Sequence, residues 1–396
     1  MLFKKDKPFP MMETTVRLCK FIGLWHDTDL GKVCWQAKFT LASLTFWYIV
    51  PEICFVTRQD RELTIRLKGM IEILAMSIFV VRIGAHVLHR GTLQRCFWDV
   101  QETLGQFVDS GHVEVQKMLE HLVSSASFIT RSYTTALLCN ASLYGDIPAL
   151  IAIGQYLMGA DIETFPPTIL EADYVLFEHQ SNILVWIPVL LVSIATQYSM
   201  LTSLAANECL NWNLLHHVSC LFKMVKFEIS HLGECSTSDE FKKRLVKIVT
   251  VHDAAYRNAL CLETVLSPVM FILYCTFVTK VCAMMLLVTI VDDFFIIAMM
   301  LFVTSYQMFL VFSFSMLGTE LTEASSAISE AIYQCGWTER TPSEQKLLMF
   351  VQMRSQRRVA ITVWKFFALG RASFSVAIKT TFQYFTIMRQ LCEIEV

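Results

Sequence analysis

A polar stripe runs along the last apolar stretch of the chain. Thr380, Gln383, Ile387 and Gln390 are spaced three, four and three residues apart, so they share one face of an α-helix. If several copies of this helix formed a ring, the polar residues would line a wet conduit. A ring of Ile387 side chains would then close that conduit by dewetting. Polar contacts between packed helices explain the same spacing equally well.

A second set of candidate residues combines aromatic rings, hydroxyl groups and apolar side chains in the outer halves of the middle apolar stretches. Such a lining suits a small volatile, lipophilic ligand, because apolar burial supplies most of the affinity and one or two hydrogen bonds fix the orientation. At each position, plain helix packing is the alternative. The candidates are Met76, Ser77, Phe79, Tyr144, Ile194, Tyr198, Tyr274 and Tyr306.

Enzyme chemistry has little support in the residue pattern. The short motifs of serine hydrolases, P-loop proteins and dinucleotide-binding proteins are absent. The 13 cysteines include no C-x-x-C pair and no Cys/His cluster, which argues against a metal site. The chain also lacks a basic stripe for nucleic acid. We therefore predict no enzymatic activity, no cofactor, no metal and no nucleic-acid partner.

The elements that must position these residues are membrane helices. Residues 183–206 and 294–317 are two runs of 24 residues without a charge. At ~1.5 Å per residue each is roughly 36 Å long, enough to cross a hydrocarbon core of ~30 Å. The composition agrees, because 54% of the residues are hydrophobic and 17% are charged, against about 25% charged in soluble domains.

We predict an all-α membrane protein with seven transmembrane helices. The predicted spans are 37–57, 68–88, 133–158, 183–206, 265–290, 294–317 and 367–388. A charge inside a span is costly and normally faces a bundle interior or a wet cavity. We expect Arg82 to snorkel toward the nearby end of its helix. Lys280 lies in the middle of its span and cannot easily do so.

Charge distribution predicts the orientation. The lysines and arginines outside the spans concentrate in the N-terminal segment and in the second, fourth and sixth connections. The positive-inside rule thus places the N-terminus in the cytoplasm and the C-terminus outside, the reverse of a G-protein-coupled receptor. The inner connections, 207–264 and 318–366, show helical periodicity. We interpret them as a cytoplasmic helical anchor within a single domain, 1–396.

The C-terminal third carries a family resemblance. Its motifs are Tyr333-Gln-Cys-Gly-Trp337, Arg354-Ser-Gln356, and the ending Gln383-Tyr384-Phe385-Thr-Ile-Met-Arg-Gln390, with a similar segment from Leu245 to His252. On these residues the chain resembles the insect odorant receptors, and the likeness extends over its whole length. Two departures are Arg358, where the family often has Pro, and Gln383, where it often has Thr or Ser.

The resemblance implies an odorant-gated, non-selective cation channel. An odorant-tuned subunit would form a heterotetramer with a coreceptor in the plasma membrane of an olfactory sensory neuron dendrite, surrounded by membrane lipids. Its length matches the tuned subunits rather than the coreceptor. By position, Ile387 corresponds to the hydrophobic gate and Gln390 to the polar residue outside it. The resemblance also suggests an anchor and assembly role for His252, Tyr333, Trp337, Arg354, Gln356 and Tyr384.

Two alternatives remain open at the level of the sequence. A gustatory-type ligand-gated channel would share the fold and much of the C-terminal ending, although the region of Trp337 and Arg354 favours the odorant class. A secondary transporter would need broken helices and inverted repeats, and we find no corresponding pair of interrupted spans.

Overall fold

The chain folds almost entirely into helices that are much longer than ordinary globular ones. The structure is a computed structural model. It describes residues 9–25, 35–58, 63–108, 110–159, 165, 169–170, 172–174, 180–290 and 294–393.

The N-terminal half contains a short first helix and three helical rods, two of them broken by a π-helical turn. Their bounds are α1 Glu13–Phe21, α2 Trp35–Ser43, a π-turn at Leu44–Ile49, α3 Val50–Thr57, α4 Leu63–Gly105, α5 Val113–Ala141, a second π-turn at Ser142–Asp146, and α6 Ile147–Leu157.

The C-terminal half contains three very long helices, a short one, a hairpin and the last helix. Their bounds are α7 Ile183–Ser230, α8 Ser238–Ile290, α9 Phe294–Gln334, α10 Pro342–Ser355, β1 Thr362–Val363, β2 Phe367–Ala368 and α11 Arg371–Glu393. Two 3-10 turns, Leu232–Glu234 and Trp337–Glu339, lie in the connections.

Helix length shows that the bundle extends beyond a bilayer. Helices α7 and α8 contain 48 and 53 residues, which corresponds to about 72 and 80 Å at ~1.5 Å per residue. Within the described residues, four helical stretches are long and apolar enough to cross a membrane: Trp35–Thr57, Lys68–Gly105, Ile183–Glu234 and Ser238–Thr289. The predicted first, second and fourth spans fall within them, and the fifth, 265–290, does so except for its last residue.

Helix α7 forms the centre of the bundle. It packs against α1, α4, α5, α8 and α9. Its residues from Met200 to Ile229 are buried almost without interruption, because these partner helices surround this part of α7. The Asn182 side chain caps its first turn by accepting a hydrogen bond from the Leu184 N–H at 2.9 Å.

The β1–β2 hairpin, which the sequence does not predict, sets the start of α11. Thr362 and Val363 pair antiparallel with Ala368 and Phe367. The segment predicted as the last span, 367–388, therefore divides between β2 and α11. Gly318 of α9 allows the close approach, because a Cβ at that position would lie 2.5 Å from the Leu369 carbonyl oxygen.

Candidate ligand cavity and channel helix

A cavity of about 80 Å³ lies inside the bundle. Helices α4, α5, α7 and α9 form its walls, and the first π-turn and the loop before α7 complete them. Apolar side chains dominate the lining. The lining residues are Tyr48, Ile71, Glu72, Ala75, Met76, Phe79, Leu137, Asn140, Ile169, Leu170, Gln197, Met200, Leu201 and Tyr306.

The structure brings some of the sequence-predicted ligand residues together at this cavity and separates others. Met76, Phe79 and Tyr306 line it. Tyr198 does not, because its hydroxyl donates to Asp146 Oδ2 at 2.6 Å and contacts Ser142 Oγ at 2.9 Å.

The other predicted ligand residues lie away from the cavity or outside the described side chains. Ser77 is half-buried beside it on α4, and Ile194 packs with the cluster around Trp186 and Leu190. Tyr274 is on α8, which contributes no lining residue, and its hydroxyl lies 2.8 Å from Ser315 Oγ. The side chain of Tyr144 lies outside the described residues.

Sequence reasoning missed four polar residues of the lining. Tyr48, Glu72, Asn140 and Gln197 all line the cavity. The available signal was a polar or acidic residue inside an apolar span, which normally faces the bundle interior. Hydropathy alone could not show that these four residues face one another.

Hydrogen bonds connect the cavity to the polar interior of the bundle. The Tyr306 hydroxyl lies 2.8 Å from the Tyr133 hydroxyl, and the Tyr133 ring contacts Trp212 edge-on at 4.6 Å between centroids. The Tyr48 hydroxyl donates to the Ser193 carbonyl at 2.6 Å. A ligand in this cavity therefore touches side chains that link α5, α7 and α9.

A buried ion pair lies next to this tyrosine pair. Arg82 Nε donates to Glu208 Oε1 at 2.8 Å, and both side chains are about 1% exposed. Asn207 Nδ2 also donates to Glu208 Oε1, at 3.0 Å. The expectation that Arg82 snorkels is wrong. Instead, the Glu208 carboxylate, which lies just beyond the uncharged run 183–206 of α7, compensates the charge of Arg82 inside the protein.

A second charged cluster borders the cavity. Glu72 of α4 lines the cavity, and Lys68 Nζ lies 3.9 Å from Glu72 Oε1. Lys280 of α8 and Glu52 of α3 are buried close enough to Glu72 to interact with it electrostatically. Lys280 thus faces the bundle interior, as a mid-span lysine must.

The predicted pore stripe lies on α11. Thr380 is half-buried, whereas Gln383, Ile387 and Gln390 are exposed in the single chain, with Ile387 52% exposed. Helix α11 is held to α8 where Cys282 Sγ contacts the Thr381 carbonyl oxygen at 3.3 Å. The exposed stripe is therefore free to face other subunits.

A wide groove of about 1020 Å³ runs between α4, α8 and α11. Thr380 and Tyr384 line it, and so does Tyr274, whose hydroxyl lies 3.1 Å from Ser373 Oγ of α11. Tyr384 is 53% exposed.

The predicted anchor residues fall into a packed group and an exposed group. The Arg354 guanidinium lies over the Tyr256 ring at 3.5 Å, a cation–π contact that joins α10 to α8. His252 packs on Phe222 with 6.0 Å between ring centroids. Burial, together with the charge of Arg354, lowers the pKa of His252 to about 4.

The exposed group borders a surface groove of about 570 Å³. Tyr333 is 74% exposed and Trp337 38% exposed, and both line this groove between α9 and α10. Gln356, just after α10, is also exposed. Large exposed aromatic side chains of this kind are typical of a contact surface.

One further charged group joins α7 to α9. Glu320 lies 2.9 Å from His216 Nδ1 and 2.5 Å from Lys223 Nζ. Desolvation raises the pKa of this carboxyl, but the two partners outweigh it and lower the pKa to about 2. The contact therefore ties two long helices together where they extend beyond the predicted spans.

A bundle of long apolar helices that encloses a small cavity is typical of a helical membrane protein. The model of the 7tm odorant receptor family matches residues 64–382, and the chain belongs to this family. Members of the family are ligand-gated channels rather than enzymes, so the prediction that the protein is not an enzyme is confirmed.

Individual relatives agree with this assignment. The chain is 19% identical to odorant receptor 9a of Drosophila melanogaster over 381 residues, which cover 96% of this chain and 94% of the relative. It is 26% identical to the odorant receptor coreceptor of Aedes aegypti over 152 residues, which cover 38% of this chain and 30% of the coreceptor.

A solved structure shows the same fold. The insect olfactory receptor OR5 from Machilis hrabei, in complex with eugenol, superposes with a TM-score of 0.79 at 14% identity. The match covers 96% of this chain and 97% of that receptor. The predicted all-α membrane class and the resemblance to insect odorant receptors are confirmed.

Proposed function

We propose that this protein is the odorant-tuned subunit of an odorant-gated, non-selective cation channel. The observation that carries the proposal is the small, mainly apolar cavity that Met76, Phe79 and Tyr306 line inside an odorant receptor fold. Apolar burial would provide most of the binding free energy of a volatile ligand, and one polar contact would orient it. The binding of eugenol by the structurally similar Machilis hrabei receptor supports this class of ligand.

The channel part of the proposal rests on α11. Its exposed face carries Gln383, Ile387 and Gln390, and a ring of such helices would present polar residues around an apolar constriction at Ile387. A constriction of this kind blocks ions by excluding water until the helices separate. Thr380 lies about one helical turn before Gln383 on α11 and would continue the polar lining of the pore.

Ligand binding would open the pore by shifting the equilibrium between a closed and an open arrangement of the subunits. An odorant that fits the cavity better in the open arrangement favours that arrangement. A difference in binding free energy of ~2–3 kcal/mol changes the equilibrium roughly 30- to 150-fold. Tyr306 supplies a route by which ligand binding would affect the packing of the helices, because its hydroxyl bond to Tyr133 couples the cavity wall on α9 to α5.

Assembly with a coreceptor completes the proposal. Similarity to odorant receptor coreceptors over 38% of this chain supports a shared mode of association. The exposed groove at Tyr333 and Trp337 offers a contact surface in the anchor formed by 207–264 and 318–366. We place this heterotetramer in the plasma membrane, with seven spans, a cytoplasmic N-terminus and lipids around the outer helices.

Co-expression with a coreceptor tests this function. Cells that express both chains should show odour-evoked cation currents, and cells with the coreceptor alone should not respond to the same odours. Normal surface expression without any odour-evoked current would contradict the proposal. Responses without a coreceptor to non-volatile contact chemicals would favour the gustatory alternative, and substrate accumulation without current would favour a transporter.

Antibody access to tags at each terminus in intact cells tests the orientation.

A further inference from the structure

We propose that Cys96 of α4 and Cys261 of α8 form a redox-active thiol pair, which peroxide converts into a disulfide that clamps the two helices together. The formation of this bond does not depend on the channel function, whereas its effect on current rests on the function proposed above.

The two thiols face each other across packed helices. Cys96 Sγ donates to the Asn258 carbonyl at 4.0 Å, and Asn258 lies about one turn before Cys261 on α8. In return, Cys261 Sγ donates to the Thr92 carbonyl at 3.6 Å, about one turn before Cys96 on α4. The two cysteine side chains also lie close enough to interact with each other directly. Both sulfur atoms therefore lie at the same point of the contact between α4 and α8, as a disulfide requires.

Cys261 is the thiol that an oxidant reaches first. Cys96 is 2% exposed, whereas Cys261 is partly exposed. The Cys96 side chain, together with the charge of Arg95, lowers the pKa of Cys261 below its ordinary value of 9.0 and outweighs the effects of burial and of Asp99. Because the thiolate is the nucleophile, Cys261 is the more reactive member of the pair. The buried Cys96 is then in place to attack the oxidised sulfur.

The two chemical steps balance with hydrogen peroxide as the oxidant. The Cys261 thiolate attacks one peroxide oxygen, the O–O bond breaks, and hydroxide leaves, so that Cys261 becomes a sulfenic acid. The proton that Cys261 released converts the hydroxide into water. The Cys96 sulfur then attacks the Cys261 sulfur, the S–O bond breaks, and a second water leaves with the Cys96 proton. Two thiols are thus oxidised to one disulfide while one peroxide is reduced to two waters.

The position of the pair along the chain suits a reversible bond. Both cysteines lie outside the predicted spans 68–88 and 265–290, in connections that the charge pattern assigns to the cytoplasm. The cytoplasm keeps thiols reduced, and disulfides that form there are usually transient and redox-sensing. The pair would therefore be reduced at rest and would respond to an oxidant.

Burial distinguishes this pair from another pair of neighbouring cysteines. Cys19 of α1 and Cys209 of α7 are close enough to interact electrostatically, but both are 0% exposed. Burial raises the pKa of both thiols. Buried thiols of this kind are inert, so we expect Cys19 and Cys209 to stay reduced when the Cys96–Cys261 pair is oxidised.

The clamp would connect the cavity wall to the helix that holds α11. Helix α4 contributes Met76 and Phe79 to the cavity lining. Helix α8 contacts α11 where Cys282 Sγ lies 3.3 Å from the Thr381 carbonyl oxygen. A covalent bond between α4 and α8 would restrict their relative movement. Oxidation should therefore reduce the current that an odour evokes.

Mass spectrometry of the purified complex tests the bond itself. After peroxide treatment, the wild-type protein should yield two peptides joined through Cys96 and Cys261, and dithiothreitol should separate them. Dimedone, which traps sulfenic acids, should label Cys261 in Cys96→Ser and should leave Cys96 unlabelled in Cys261→Ser. Absence of the joined peptides from folded wild-type protein would overturn the inference. Equally fast oxidation of Cys19 and Cys209 would contradict the role of exposure.

Currents in cells that also express the coreceptor test the clamp. Peroxide should reduce the odour-evoked current of the wild type, and dithiothreitol should restore it. Cys96→Ser and Cys261→Ser should keep their current under the same treatment. Cys275→Ser, which removes an exposed thiol elsewhere on α8, is the matched control and should respond to peroxide like the wild type.

Two outcomes of the current measurements overturn the clamp. They are a disulfide that forms without any change in current, and an equal loss of current in the wild type and in both serine variants of the pair. If no odour evokes current in the untreated wild type, the proposed function fails, and mass spectrometry still decides whether the disulfide forms.

Discussion

Tyr306 is the residue at which the cavity meets the polar interior of the bundle. Its ring forms part of the cavity wall, and its hydroxyl bonds to Tyr133, which is buried beside Arg82 and Glu208. A change in the position of this ring would therefore alter contacts on α4, α5 and α7 together.

Removing only the hydroxyl of Tyr306 should separate these two roles. Tyr306→Phe keeps the ring and loses the hydrogen bond to Tyr133, a change of about 1 kcal/mol or roughly fivefold in potency. Dose–response curves with the coreceptor measure it, and surface labelling should stay normal. Tyr156→Phe, on the half-exposed Tyr156 of α6, is the matched control. Unchanged potency for every odour would limit Tyr306 to packing.

The buried Arg82–Glu208 pair should matter for stability far more than exposed pairs. Glu208→Gln leaves the Arg82 guanidinium buried without a countercharge, which typically costs about 3–5 kcal/mol. We expect a much lower thermal unfolding midpoint and poor surface expression. Glu323→Gln breaks the ion pair with Arg371, in which both side chains are more than half exposed, and should cost about 0–1 kcal/mol. Equal effects of the two variants would refute the role of burial.

At the scale of single residues, the sequence identified only part of the cavity lining. Residue type identified hydroxyl and aromatic candidates, and the structure places Met76, Phe79 and Tyr306 around one cavity. Residue type could not identify Gln197 as a lining residue, because its neighbour Tyr198 is also a polar residue in the same apolar span. The two side chains nevertheless point in different directions. Direction around a helix depends on its packing partners, which a single sequence does not show.

At the scale of elements, the hairpin before α11 controls how the last helix is attached. Helix α9 passes so close that Gly318 leaves no space for a Cβ next to the Leu369 carbonyl. The Arg371 N–H also donates to Thr319 Oγ1 at 2.9 Å, which caps the start of α11. Helix α11 therefore begins against α9, and a shift of α9 would move the start of the helix that carries the predicted pore stripe.

A methyl group at Gly318 should loosen this attachment. Gly318→Ala forces a backbone carbonyl away, because the contact would be 2.5 Å. We expect lower thermal stability of the complex and altered gating. Gly91→Ala is the control, since a Cβ there meets nothing within 4 Å. In that α4 position, alanine should be neutral or stabilising by about 0.5–1 kcal/mol. Wild-type behaviour of Gly318→Ala would show that the hairpin can move without consequence.

The anchor helices should respond to acid through His252. Its folded pKa of about 4 lies below the ordinary value of 6.5, so between these pH values the unfolded chain binds a proton that the folded chain does not. Stability should therefore fall as the pH drops from about 6.5 to 4. Thermal unfolding midpoints at pH 7 and pH 5 measure this loss, which should be smaller in His252→Gln. An equal loss in both proteins would exclude His252 as the cause.

The hairpin is also the element that the sequence could not predict. Residues 361–369 contain no Asn-Gly or Asp-Gly signal, and the turn places Trp364 and Lys365 at positive φ, 47° and 62°. Contacts with α8 impose this shape, since the Trp364 N–H donates to the Ser267 carbonyl at 3.2 Å. The long apolar helices, in contrast, follow from hydropathy and length, because their signal is continuous along the chain.

At the scale of the whole molecule, the proposed channel needs more than one chain. The polar face of α11 lies on the outside of the monomer, with Ile387 52% exposed, and only neighbouring subunits could turn that face into a pore lining. The exposed groove at Tyr333 and Trp337 supplies a second surface that assembly would cover.

Shortening the side chain at Ile387 should then change the closed state. With Ile387→Ala, a ring that includes this subunit is wider and easier to wet, so the resting current of the complex should rise or its ion permeation should change. Whole-cell recordings without odour, before and after a channel blocker, measure the difference. Phe382→Ala, at another exposed position on α11, removes apolar surface from a different side of the helix and should leave the resting current unchanged. If both variants behave like the wild type at normal surface levels, Ile387 does not form the gate, and the constriction must involve another residue of α11.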